Sequence, residues 1–158
     1  MKSMFEKLIG MDEAGWARRA NKWSVYTRYS VSPLLAVAIW SRTWIGAISL
    51  IPVALVCLWA WLNPRLFPPP LSTRSWASKA VLGERIWLAR RAVVPARDMA
   101  AGISVLITLN AFSTLIFAVG LLVLSPPLTL GGLIAVIIFK SWFLDRMVWL
   151  YEVSRASP

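Results

Sequence analysis

Four polar side chains interrupt apolar sequence: Arg28, Asn110, Lys140 and Asp145. Ionisable groups inside a run that reads as membrane-spanning are expensive, and they are functional signals by default. Two cations and an amide at similar depth would form a pocket for a phosphate headgroup or an anionic solute. Helical rise places Arg28 about 8 Å inside Trp23, Asn110 about 14 Å inside Ala101 and Lys140 about 12 Å inside the same edge of a ~30 Å hydrocarbon core. Asp145 falls close to that edge. The competing reading is structural. Arg28 and Lys140 have stems long enough to snorkel to the headgroups, and Asn110 can bond a neighbouring helix. The pocket reading expects Lys140 to turn into the bundle and approach Asn110.

A second set lies in the polar segment 63–98. Arg65, Trp76, Glu84, Arg85, Trp87, Arg90 and Arg91 read as a surface for a partner protein or anionic lipid, with Glu84 in an ordinary surface ion pair. Nothing in the chain reads as catalytic machinery. It has no histidine and one cysteine, Cys57, which removes His-based metal sites and Ser-His or Cys-His nucleophiles. No Gly-rich phosphate loop, CxxC, HExxH or GxSxG occurs, so no catalytic residue, metal site or cofactor is expected. Pro33 and Pro52 fall near the middle of two apolar runs. They read as bends or, less simply, as interruptions of a transport site.

The elements that hold these residues follow from composition. Of 158 residues, 58% are hydrophobic and 15% charged, and the mean hydropathy is +0.65. A soluble domain carries about 25% charged residues. An all-α integral membrane bundle is therefore expected. The net charge of +10 then points to anionic headgroups of the lipid bilayer rather than nucleic acid.

One membrane domain over residues 1–158 divides as follows. Residues 1–22 form an amphipathic segment, either in the headgroup layer or capping the bundle; it reads as retained rather than as a cleaved signal. Residues 23–62 form a first hairpin, with spans 23–40 and 44–62 and a corner at Trp40-Ser-Arg-Thr-Trp44. Asn63-Pro64 ends the second span, and Pro68-Pro69-Pro70 makes an extended exit. Within 63–98, residues 75–91 read as an interfacial helix with a Trp76, Ala80, Gly83, Trp87 stripe. Residues 99–151 form a second hairpin, with spans 99–124 and 128–151, a turn at Ser125-Pro126-Pro127 and Gly131-Gly132 as a place for close helix approach. Residues 152–158 are a tail.

Charge distribution selects this four-span scheme. Of the 17 Lys and Arg residues, Arg42 alone falls at the far corner. A single long helix over 33–62 would split the basic segments between opposite faces. The positive-inside rule then places both termini in the cytoplasm. Trp23, Trp59, Trp61 and Trp149 fall at the inner interface, and Trp40 and Trp44 at the outer one.

Four strings carry a resemblance: Trp16-Ala-Arg-Arg-Ala-Asn-Lys-Trp-Ser-Val-Tyr-Thr-Arg28, Ile39-Trp-Ser-Arg-Thr-Trp-Ile-Gly46, Trp61-Leu-Asn-Pro-Arg-Leu-Phe-Pro-Pro-Pro70 and Val81-Leu-Gly-Glu-Arg-Ile-Trp-Leu88. The chain resembles an uncharacterised family of small prokaryotic membrane proteins, a domain of unknown function. That resemblance implies a prokaryotic inner-membrane location and lends no activity. The expected role is a non-enzymatic accessory or assembly protein, binding a membrane protein partner or anionic lipid through its basic face, or a second copy of itself. The alternatives are a small carrier or channel for an anionic solute and, behind it, a lipid-modifying enzyme.

Overall fold

Alternating apolar stretches and proline-rich breaks give an all-helical chain. A computed structural model describes residues 13–89 and 97–156. Residues 1–12 of the expected amphipathic segment, and Arg90 and Arg91, lie outside the described residues. The α-helices are α1 Glu13–Arg19, α2 Lys22–Thr27, α3 Val31–Trp40, α4 Arg42–Ile45, α5 Leu50–Leu66, α6 Trp76–Ala89, α7 Arg97–Leu122 and α8 Pro126–Ala156. Two 3-10 turns, Arg28–Ser30 and Gly46–Ser49, are inserted in the first half. No strand occurs among the described residues. Three helical stretches are long and apolar enough to cross a membrane: Lys22–Leu66, Gly102–Leu122 and Pro126–Ala156.

The first of these has 45 residues, and it is folded back on itself. Drawn straight, a helix would separate Ser24 from Asn63 by about 58 Å. Instead the Ser24 hydroxyl donates to the Asn63 side-chain carbonyl at 3.1 Å, and the Asn63 amide donates to Thr27 Oγ1 at 2.7 Å. One turn further along, Trp59 Nε1 donates to Ser30 Oγ at 3.4 Å. The reversal occurs between Ser41 and Ser49, where Gly46 adopts φ 57 and ψ −132, a backbone region a side chain would strain.

Several expected boundaries shift for physical reasons. Asn63-Pro64 does not stop the helix. The missing N–H of Pro64 falls in the last turn, and α5 continues to Leu66 before Phe67 becomes extended. Pro33 and Pro52 are each the third residue of an α-helix that continues directly from a 3-10 turn, so both fall where the helical backbone changes its pitch. Pro126-Pro127 likewise opens α8 rather than forming the turn, with Pro126 at the first helical position. The turn is Val123–Ser125, with Leu124 at φ 53.

The longest packing seam joins α7 and α8. Ile103, Leu106, Ser113, Phe117 and Leu121 are buried on α7; with Asn110 they complete a near-regular three-four spacing that keeps one face on a partner helix. On α8, Thr129, Gly132, Val136, Leu144, Met147 and Leu150 are buried. Lys140 sits on that stripe, one turn from both Val136 and Leu144. Gly132 lets α8 approach the Phe117 backbone, whereas Gly131 faces open space. At the far end, Arg42 donates to the carbonyls of Leu121 and Leu122. These are unpaired acceptors at the negative end of α7, so the basic residue at that corner acts as a helix cap.

The other end is a small protein core. Trp16, Ala20, Val25, Ala77, Ala80, Val81 and Leu144 cluster there, and Trp87, Ile103, Met147 and Leu150 form an adjoining cluster. The stripe of α6 expected to lie in the lipid interface is buried against α8 instead. Gly83 faces the Met147 carbonyl so closely that a methyl group there would overlap it. The cause is the length of α8: 31 residues rise about 46 Å, about 16 Å beyond a ~30 Å hydrocarbon core, which leaves its last third for α6 to cover.

Candidate functional site

Where α1, α2, α6 and α8 meet, a cavity of about 240 Å³ is lined by Arg19, Arg28, Tyr29, Glu84 and Lys140, with Val25, Val81, Phe143 and Leu144 as apolar wall. Each cation is aimed by local structure. Asn21 caps α2 by accepting the Trp23 N–H at 2.9 Å, and its amide donates to the Pro68 carbonyl at 2.9 Å. That corner turns α1 back over α2. Arg28 then reaches across it: its Nε donates to the Ser24 carbonyl at 3.0 Å and one Nη donates to the Arg19 carbonyl at 3.1 Å. The second bond satisfies a free acceptor at the end of α1. The other Nη makes no hydrogen bond to the described residues.

Arg19 forms an ion pair with Glu84 at 3.5 Å, both side chains about a quarter exposed. Lys140 leaves the buried stripe of α8 and sets its ammonium 4.7 Å from the centre of the Tyr29 ring, a favourable cation–π contact. Ser141 Oγ donates to the Ile137 carbonyl at 2.7 Å, so the Tyr29 hydroxyl is the donor in its 3.1 Å bond to Ser141. Tyr29 is thereby held as a fixed plate under Lys140. Among the described residues, three cations and one carboxylate line the cavity, in a site walled by apolar side chains where water screens charge weakly.

The structure brings Arg28, Lys140 and Glu84 together and adds Arg19 and Tyr29. Asn110 is elsewhere. Its amide donates to the Val136 carbonyl at 3.2 Å across the α7–α8 seam, so Lys140 meets Tyr29 rather than Asn110. Asp145 lies outside the cavity, accepting from Trp76 Nε1 at 3.4 Å. Arg65 stacks on Trp61 at 4.1 Å. Trp76, Glu84 and Arg85 are half-buried on α6. Trp87 does not belong to a surface: it is 6% exposed and packs with Ile103, Met147 and Leu150, because α6 turns its Gly83 and Trp87 face onto α8.

Sequence reasoning passed over Arg19, Tyr29 and Asn63. Arg19 read as one of several flanking charges, and only the Asn21 corner carries it into the site. Tyr29 gave no signal beyond its place next to Arg28. Asn63 read as a helix stop, yet it is fully buried and joins the two halves of the first stretch.

The chain belongs to a family of unknown function, DUF6653, which matches residues 1–158. No curated protein and no solved structure matches it.

Proposed function

We propose that this member of a family of unknown function is a non-enzymatic protein of the prokaryotic inner membrane that binds anionic lipid headgroups at its basic end. In this reading the chain crosses four times. The folded-back stretch Lys22–Leu66 makes the first two crossings, and α7 and α8 make the others. Both termini and the cationic cavity face the cytoplasm.

The observation that carries the reading is the convergence of Arg19, Arg28 and Lys140 on one cavity, with Glu84 as the carboxylate among its described lining residues. Partly buried like charges repel one another and lose hydration, and an anionic headgroup relieves both. Trp23, Trp61 and Trp149, exposed at 58%, 56% and 46%, supply amphipathic rings of the kind that sit at headgroup level. A carrier would need a polar path onward from this cavity. Asn110, on the α7–α8 seam, has its amide committed to Val136, and a cavity at the far end is lined, among the described residues, by uncharged side chains such as Trp40, Trp44, Pro126 and Leu130. Those two facts favour binding over transport.

The test is retention of lipid by the full chain, extracted in mild neutral detergent and measured by native mass spectrometry. Anionic phospholipid should be retained over phosphatidylcholine by about tenfold or more, the scale of one charge-assisted contact. Equal retention of the two would contradict the proposal.

A further inference from the structure

The far end of the bundle holds a second cavity, of about 270 Å³ and apolar, between the end of α3 and the start of α8. Resting on the reading that these helices span a bilayer, we infer that it takes one acyl chain of a phospholipid from the leaflet at that end. The chain's ester group accepts hydrogen bonds from Trp40 Nε1 and Thr129 Oγ1.

Two orphaned polar atoms carry this inference. Trp40 Nε1 and Thr129 Oγ1 are buried without a hydrogen-bond partner among the described residues, and both side chains line the cavity. Thr129 is 4% exposed. Ser and Thr hydroxyls in helices commonly donate to the carbonyl one turn back. Thr108, Ser113, Thr114 and Ser141 all do so, and Thr129 does not. Its place is fixed by close packing, because a methyl group at Gly120 would overlap the Thr129 backbone nitrogen. An indole N–H only donates, so the group that satisfies Trp40 must be an acceptor. Leaving a buried donor unpaired is costly.

Depth selects the occupant. Trp40 is the last residue of α3 and Thr129 the fourth of α8, so each lies within about one turn, ~5 Å, of a helix end. That is the border of the hydrocarbon, where tryptophans gather and where ester groups join acyl chains to headgroups. Val37, Trp44 and Leu130 line the cavity and are themselves exposed, so it opens on an apolar flank that a bilayer covers with chains. The two polar atoms lie just beneath the apolar wall, and a small turn of either side chain presents them to the ester.

The experiment titrates the purified full-length protein in neutral detergent with two phosphatidylcholines of equal chain length, read by native mass spectrometry. One is the ordinary diester. The other is the diether, which has a methylene in place of each ester carbonyl. The diester should bind more by about fivefold or more, the scale of one neutral hydrogen bond. Trp40→Phe, which keeps a ring and loses the N–H, should bring the two lipids toward parity, and so should Thr129→Val. Trp142→Phe, at an exposed tryptophan outside the cavity, should keep the full preference. Equal binding of diester and diether by the wild type overturns the inference. Full preference in Trp40→Phe overturns the placement. The wild-type comparison decides by itself, so a variant that fails to fold does not blunt it. Both lipids carry the same net-neutral headgroup, so failure here leaves anionic selectivity at the basic end untouched, and failure there leaves this comparison untouched.

Discussion

At the scale of single residues, a few polar groups do work that their sequence context conceals. Asn63 is fully buried and bonds Ser24 and Thr27. Asn63→Ala leaves the buried Ser24 hydroxyl without its acceptor, while Thr27 keeps its bond to the Trp23 carbonyl, and opens a small void, which should lower stability by about 1–2 kcal/mol. Thermal unfolding in detergent measures it; a melting temperature unchanged from wild type would show that the contact contributes nothing. The sequence left Lys140 between snorkelling to the headgroups and turning into the bundle; in the structure it shares one face of α8 with the buried Val136 and Leu144. Its partner was not legible. Tyr29 is 111 residues away in sequence, and nothing along α8 says which neighbour lies opposite. Asn110 shares a polar character with Lys140 but sits on the α7 face that closes onto Val136, so similar depth did not mean proximity.

At the scale of elements, α6 is the instructive case. Its stripe of Trp76, Ala80, Gly83 and Trp87 has the spacing of an interfacial helix, and the same spacing suits a helix packed on protein. Periodicity reports that a face is apolar and does not report whether lipid or protein covers it. Small residues decide it here: Ala77, Ala80 and Gly83 allow an approach that lipid would not require. Gly83→Leu should force α6 away from Met147 and cost about 1–3 kcal/mol or more of stability, with Trp87 fluorescence shifting toward an exposed spectrum. Because Glu84 adjoins Gly83, the same variant should lose the Arg19–Glu84 pair and with it part of the cavity wall. A variant with wild-type melting and an unchanged Trp87 signal would show that the helices are not in contact. The helix ends were legible only in part. Pro126 was read as part of a turn, whereas it opens α8 at the first helical position, where proline is favoured, and Pro64, read as a stop, lies inside the last turn of α5.

At the scale of the whole molecule, one arrangement follows from charge and is consistent with contact geometry. Asn21 reaches Pro68, Arg19 reaches Glu84 and Lys79 reaches Glu152 at 2.6 Å. The start of the first stretch, its exit and the end of α8 therefore share one end of the bundle, while Arg42 caps α7 at the other. The bias of basic residues suggested this division, because Arg42 alone fell outside the basic segments. What the sequence could not supply was the second use of that end: a protein core built by α1, α6 and the overhang of α8, with the cationic cavity at its edge. The account depends on that shared end, and accessible-cysteine mapping in sealed vesicles tests it most directly. In a Cys57→Ser background, Ala14→Cys, Thr43→Cys, Ser72→Cys and Ser154→Cys each place one thiol at an exposed position. Four crossings predict that positions 14, 72 and 154 react with a membrane-impermeant reagent from one face and position 43 from the other. Labelling of positions 14 and 72 from opposite faces would mean that Lys22–Leu66 crosses once, and would contradict both the topology and the cavity built on it.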